Sequence, residues 1–191
     1  MTLILASTSP YRRALLTRLG VEFTCVAPHV DETPEPNETP EQLAARLARA
    51  KAAAVATDHP EAIVIGSDQV AALSGQVMNK PGTHDRATAQ LKACSGEEVH
   101  FYTGVTVAAP DWQEPRTRVV PFTVHFKPLD EGLIERYLQR EQPYDCAGSF
   151  KVEALGIALF ERLAGDDPTS LEGLPLIATV ELLEQAGMEI I

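Results

Sequence analysis

Ile63, Val64 and Ile65 form an unbroken apolar run inside Ala62–Leu73, and this segment constrains the fold more than any other. A strand wetted on one side alternates apolar with polar residues. A continuous run is expected of a strand covered on both faces. Helical patterns stand before and after it to supply the cover. Pro10–Leu19 repeats Tyr11, Leu15 and Leu19 at i, i+4 and i+8, with Ser9 as N-cap and Gly20 as stop. Thr39-Pro40-Glu41-Gln42 is a capping-box start. The helix after it is predicted to about Thr57, with Leu43, Leu47, Ala50 and Ala54 on one face and alanines that allow close packing.

The remaining pattern continues the alternation. Short strands are predicted at Leu3–Ala6, Glu22–Ala27, Gln76–Met78, Ser149–Val152 and Gly156–Phe160, and long ones at Glu97–Ala108 and Thr117–Phe126. Helices are predicted from Thr83 or His84 to Gly96, from Asp130 to about Glu141, and from Pro175 to Gly187 with Leu176, Val180 and Leu183 inward. Pro28–Pro40 reads as loop. Helices alternating with strands indicate an α/β fold, and the adjacent long strands add antiparallel pairs, so a mixed, twisted central sheet flanked by helices is expected. A chain of 191 residues with 45% hydrophobic content is expected to form a single domain over 1–191.

Charge and composition exclude several classes. A net charge of −11 is the wrong sign for a protein that coats a nucleic acid polymer. An anionic small substrate then needs a locally basic site or a divalent cation. No apolar run approaches the roughly 20 residues of a membrane span, and Leu3–Ala6 is too short for a signal peptide. Cys25, Cys94 and Cys146 are scattered without CxxC spacing, which suits reduced cytosolic thiols. No Walker A loop, GxGxxG, HExxH or GxSxG occurs, and the histidines show no ligand spacing.

Arg12 and Arg13 fall in the first turn of the first helix, at the positive end of its dipole. Each cation there costs roughly 0.3–1 kcal/mol unless an anion binds at that end. Asp68 follows the most apolar strand and is expected at that strand's end, where open α/β sheets bind ligands. Glu32, in the acidic loop after the second strand, could join Asp68 around Mg²⁺ or Mn²⁺, ions that take one or two carboxylates and complete their shell with water and phosphates. Lys51, Lys80 and Lys151 come from separate segments and, with Arg12 and Arg13, could line one triphosphate pocket.

Six segments together resemble the Maf-like nucleotide pyrophosphatases. They are Ala6-Ser7-Thr8-Ser9-Pro10-Tyr11-Arg12-Arg13, Val30-Asp31-Glu32, Arg46-Leu47-Ala48-Arg49-Ala50-Lys51-Ala52, Gly66-Ser67-Asp68-Gln69-Val70, Lys80-Pro81 and Gly173-Leu174-Pro175-Leu176. Asp145-Cys146-Ala147-Gly148-Ser149-Phe150-Lys151 is similar to the branch that acts on 7-methyl-GTP. The resemblance implies a cytoplasmic hydrolase that cuts a nucleoside triphosphate into monophosphate and pyrophosphate. It also implies a divalent metal (Mg²⁺, Mn²⁺ or Co²⁺), an elongated two-lobed domain with a central cleft, and admits a homodimer. By carry-over, Asp68 is the proton acceptor and Glu32 belongs to the pocket, and these two are the candidate metal ligands. Ser7, Arg12, Arg13, Lys51 and Lys80 match the substrate pocket, and Tyr11, Gln69 and Glu153 occupy the base-selecting positions. Ala50 stands where the family often has glutamate, and Tyr11 where the branch commonly has tryptophan. Lys151-Val152-Glu153-Ala154 replaces the usual Lys-Ser-Glu-Gly. The competing readings are a pyrophosphatase for dTTP and UTP or for a modified purine triphosphate, and a nucleotide-binding regulator of septum formation.

Overall fold

The computed structural model describes residues 2–191. Its elements are β1 (Thr2–Ala6), α1 (Pro10–Thr17), β2 (Thr24–Cys25), α2 (Pro40–Asp58), β3 (Ala62–Leu73), β4 (Gln76–Met78), α3 (His84–Cys94), β5 (Glu98–Ala108), β6 (Arg116–Phe126), α4 (Glu131–Glu141), β7 (Phe160–Ala164), α5 (Pro168–Leu171) and α6 (Leu176–Gln185). The strands form one seven-stranded mixed sheet in the order β2-β1-β3-β5-β6-β7, with β4 paired to β3. β1 is parallel to β2 and β3, whereas β4 on β3 and β7 on β6 are antiparallel. The expected α/β architecture with a mixed, helix-flanked sheet is therefore present.

The chain gathers into two compact units. One takes the chain through Gln69 together with Tyr102–Val120 and Asp167–Ile191; the other holds Val70–Phe101 and Pro121–Asp166. In the first unit, strand alternation sends Leu3, Leu5, Ile63, Ile65, Val105 and Val107 to one face, where Leu15 and Leu16 of α1 and Leu174, Ala178, Leu182 and Leu183 cover them. Ile4, Ala6, Ala62 and Val64 turn to the opposite face and pack with Val55 of α2. Both faces are thus dry, as the Ile63–Ile65 run requires. In the second unit Phe150 stacks edge-on against Phe101, Phe126 and Phe160 at centroid distances of 5.4, 5.7 and 4.7 Å. Such aromatic pairs add roughly 0.5–1.5 kcal/mol each beyond their burial.

Helix starts follow their caps. Thr39 and Gln42 close the reciprocal capping box of α2, and Ser9, Thr83 and Asp130 accept from the first turns of α1, α3 and α4. Several expectations need correction, among them the α2 face, where Ala48, Lys51, Ala52 and Val55 are buried in place of Ala50 and Ala54. The strand expected over Glu22–Ala27 shortens to Thr24–Cys25. The strands expected at Ser149–Val152 and Gly156–Phe160 are 3-10 turns at Ala147–Ser149 and Leu155–Leu159, and extended pairing begins only at Phe160. The cause is local: Gly148 and Ser149 adopt φ of 77° and 63°, and the chain wraps on the Lys151 carbonyl, which accepts from Ala154 and Gly156. In α6 Leu183 is buried as expected, but Val180 is half-buried and Ala178, Thr179 and Leu182 complete the inward stripe. Finally, α5 was hidden in the sequence because four residues carry no periodicity.

Candidate active site

β3 does not end at Asp68, contrary to the expectation; it continues to Leu73. The strand that stops is β1, whose last residue, Ala6, lies opposite Gly66. Beyond that point Ser67, Asp68 and Gln69 run without β1 beside them. Alternation then distributes these three side chains. Asp68 shares the face of Val64 and Gly66, toward α2, while Ser67 and Gln69 share the face of Ile63 and Ile65.

The α2 face is unusually tight. A Cβ on Gly66 would lie 2.3 Å from the Ala48 carbonyl oxygen and 2.4 Å from the Ala52 nitrogen. One on Gly104 of β5 would lie 2.5 Å from the Ala44 oxygen. Glycines on the strands and alanines on the helix therefore let two backbones touch. That approach brings Lys51 Nζ to 2.6 Å from Asp68 Oδ1. The same Nζ lies 2.6 Å from Glu32 Oε1. Lys51 and Asp68 are both buried, so each depends on the other for charge compensation, whereas the Glu32 side chain is 60% exposed.

The loop that carries Glu32 is braced from α2. Arg46 places Nε 2.6 Å and Nη2 2.9 Å from the two Glu38 oxygens, and donates from Nη2 to the Thr33 carbonyl at 3.0 Å. This fork holds the Glu38 carboxyl below its ordinary value and Arg46 above it. Asp31 adds an Asx turn by accepting from the Thr33 amide at 2.9 Å.

Arg12 joins this cluster electrostatically. Desolvation lowers its pKa, and the nearby charges of Asp68 and Glu32 partly offset that loss. Its Nε donates to the Gly173 carbonyl at 2.8 Å. Arg13 is exposed and lines an open surface hollow with Thr2, Thr17 and Thr24, a hollow whose lining includes neither Arg12 nor Asp68. Ser7 is buried, and its Oγ accepts from the Ser9 amide at 3.1 Å, shaping the turn into α1. Tyr11 is half-buried on the first turn of α1. Gln69 donates from Nε2 to the Ser170 and Leu171 carbonyls at 2.8 and 3.0 Å. Lys80, exposed after β4, and Glu153, exposed in the turn before Leu155–Leu159, belong to the second unit, as does Lys151.

Glu32 and Asp68 suit a hard divalent ion. Both present carboxylate oxygens toward one point, now held by the Lys51 ammonium, and Mg²⁺-type ions need no more than two carboxylates when phosphates complete the shell. Among the described residues no group of three or more His, Cys, Asp or Glu gathers to form a fully protein-built cage. Residues that the sequence reading missed are Gly66, Gly104, Ser67 and Asp167. Gly66 and Ser67 stood inside a recognised motif, but only the packing shows what they do.

The model of the Maf-like protein family matches residues 2–186. This chain belongs to the Maf-like protein family. Family members resembling it include a protein of Nitrosococcus oceani named 7-methyl-GTP pyrophosphatase. That protein is 57% identical over 100% of this chain and 96% of its own length. A Pseudomonas syringae protein of the same name is 51% identical over 99% of this chain and 98% of its own length. A third, from Polaromonas, is 55% identical over 97% and 85%. Among solved structures, a HAM1 protein from Coxiella burnetii matches 66% of this chain and 73% of its own, with a TM-score of 0.45 and 16% identity.

Proposed function

We propose that this Maf-like protein is a nucleotide pyrophosphatase that hydrolyses 7-methyl-GTP to 7-methyl-GMP and pyrophosphate in the cytoplasm. Relatives more than half identical over the full chain carry that name. The observation that carries the chemistry is the Lys51 ammonium held 2.6 Å from both Asp68 and Glu32, with the Arg12 charge coupled to the same two acids.

Hydrolysis adds water at the α-phosphorus and breaks its bond to the bridging oxygen, so pyrophosphate departs. Such transfer needs positioning and charge neutralisation more than covalent help. Oδ1 of Asp68 is engaged by Lys51, which leaves its second oxygen to take the proton of the attacking water. Arg12, desolvated beside the charges of Asp68 and Glu32, grips phosphate oxygens as a fixed fork. Lys51 and Lys80 offset charge that builds on the leaving group. Ser7 and Arg13 join the phosphate-side residues on the family motif alone, since Arg13 lines a hollow that includes neither Arg12 nor Asp68. Glu32 and Asp68 would hold a divalent cation, and the chemistry such an ion supplies is neutralisation of phosphate charge and a more acidic bound water.

Base choice rests on different residues. N7-methylguanine is a cationic aromatic ring, and a tyrosine such as Tyr11 attracts it by roughly 0.5–2 kcal/mol. A carboxylate such as Glu153 accepts from the guanine N1–H and amine while balancing the ring charge. Gln69, tied to the Ser170 and Leu171 carbonyls, contributes to base choice by shaping the site rather than through its amide nitrogen.

A substrate panel with pyrophosphate detection tests the proposal. The expected result is a kcat/KM for 7-methyl-GTP well above those for dTTP, UTP and ITP with Mg²⁺, Mn²⁺ or Co²⁺. A pyrimidine preference overturns the base assignment. Tight nucleotide binding without turnover under all three metals overturns the enzymatic reading in favour of a regulator.

A further inference from the structure

The face of β3 opposite Asp68 carries an arrangement that the hydrolytic reading does not use. The Gly173 carbonyl accepts from Arg12 Nε at 2.8 Å, and Ser67 Oγ lies 3.1 Å from it. Ser67 is fully buried, and its hydroxyl also reaches the Gly104 carbonyl at 2.8 Å. Gly173 has φ of 111°, a conformation that strains any residue with a side chain. A Cβ there would stand 3.7 Å from Arg12 Nε, an ordinary contact, so glycine is needed for the backbone and not for space.

The segment that bears this carbonyl is closed on itself. Asp167 is buried; Oδ1 accepts from the Thr169 amide at 2.9 Å and Oδ2 from the Ile177 amide at 2.9 Å. One carboxylate thus caps α5 and ties it to the first turn of α6. The Ser170 hydroxyl returns to the Asp167 carbonyl at 2.6 Å. Gln69 and Thr103 hang the segment on the sheet by donating to the Ser170 carbonyl, each at 2.8 Å.

We infer that the Gly173 carbonyl is the acceptor that orients Arg12 for phosphate, and that Ser67 and Asp167 are positioning residues that hold this carbonyl. An arginine carries five N–H donors in a planar fork. Spending Nε on a fixed carbonyl sets the plane and leaves the Nη edge for a bidentate anion contact. The desolvated state of Arg12 fits a cation held ready for such a partner. The inference rests on the proposed role of Arg12 in gripping phosphate.

The test is a double-mutant cycle read by calorimetric binding of inorganic tripolyphosphate, with and without Mg²⁺, so that no turnover is needed. Gly173→Ala is expected to weaken binding about 10-fold through lost pre-organisation. In the Arg12→Ala background the same change is expected to have no effect. Ser67→Ala is the second variant, in case Gly173→Ala does not fold; it is expected to weaken binding about 3-fold, and again only when Arg12 is present. Equal losses in both backgrounds overturn the inference, as does a parent protein that fails to bind tripolyphosphate. A protein that shows the coupling yet hydrolyses no nucleotide keeps this inference and loses the proposed function.

Discussion

The Lys51 ammonium stands 2.6 Å from Oδ1 of Asp68, with both groups out of solvent. The same ammonium also meets Glu32. One cation between two acids leaves the cluster short of positive charge until Arg12 is counted. Under the proposed function an arriving triphosphate competes with those acids for Lys51 and Arg12, and a divalent ion on the carboxylates would relieve that competition.

Asp68→Asn removes the proposed proton acceptor while keeping its shape. Turnover is expected to fall at least about 10²-fold, the scale on which general bases contribute. Circular dichroism should show a folded protein, with a lowered melting temperature because the buried Lys51 ammonium is left with the exposed Glu32 as its ion-pair partner, so kcat is compared well below melting. A kcat near the parent value would refute the assignment of Asp68.

Lys51→Met acts in the opposite sense. It strands a buried carboxylate, and removing one partner of a buried ion pair costs about 3 kcal/mol or more. For a chain of this length the melting temperature should drop by roughly 6–12 °C. Adding Asp68→Asn should recover most of the loss, because the uncompensated charge disappears. Differential scanning calorimetry of both variants and the double variant decides the point: unchanged melting in Lys51→Met means the pair is not coupled.

The thiols offer a test independent of nucleotide. Burial pushes Cys94 and Cys146 up to about 12, and Asp145 adds to the effect at Cys146. A thiol with a raised pKa stays protonated, so at pH 8 only about one in 10⁴ is thiolate at either position. Cys25 is exposed on β2. Iodoacetamide at pH 8 should therefore label Cys25 first, and the other two only on unfolding or near pH 12. Peptide mass mapping that finds Cys146 labelled as fast as Cys25 would contradict the structure.

Much of this was legible from residue order. The capping box at Thr39 and Gln42 and the strand Ala62–Leu73 carry local signals, and local signals survive folding. Asp68 stood out as a carboxylate after an apolar run, although the strand that ends beside it is β1 and not β3. The Ser149–Phe160 region misled because apolar residues between glycines read as strands, while positive φ at Gly148 and Ser149 turns the chain. The Gly173 carbonyl meets Arg12 and Ser67 across 161 and 106 positions of chain. No spacing rule reports such a contact.

Gly66 and Gly104 make the last prediction, because they decide whether Lys51 reaches Asp68 at all. A methyl group at Gly66 would sit 2.3 Å from the Ala48 oxygen and 2.9 Å from the Ala52 Cβ. The first obstacle is helix backbone and cannot rotate away, so α2 has to lift off the sheet. Overpacking typically costs about 1–3 kcal/mol, and a backbone clash lies at the upper end or beyond. Gly66→Ala should therefore melt well below the parent or fail to accumulate as folded protein. Where it folds, lifting α2 parts Lys51 from Asp68, so kcat measured far below the melting temperature should fall more than the folded fraction does. Ala52→Gly should not rescue it, because trimming that methyl leaves the contacts with the Ala48 oxygen and Ala52 nitrogen in place. Gly104→Ala meets the Ala44 oxygen at 2.5 Å and should behave alike, with the lift centred one turn earlier in α2. Parent-like melting and kcat in either variant would show that the close approach of helix and sheet is not what sets the Lys51–Asp68 distance.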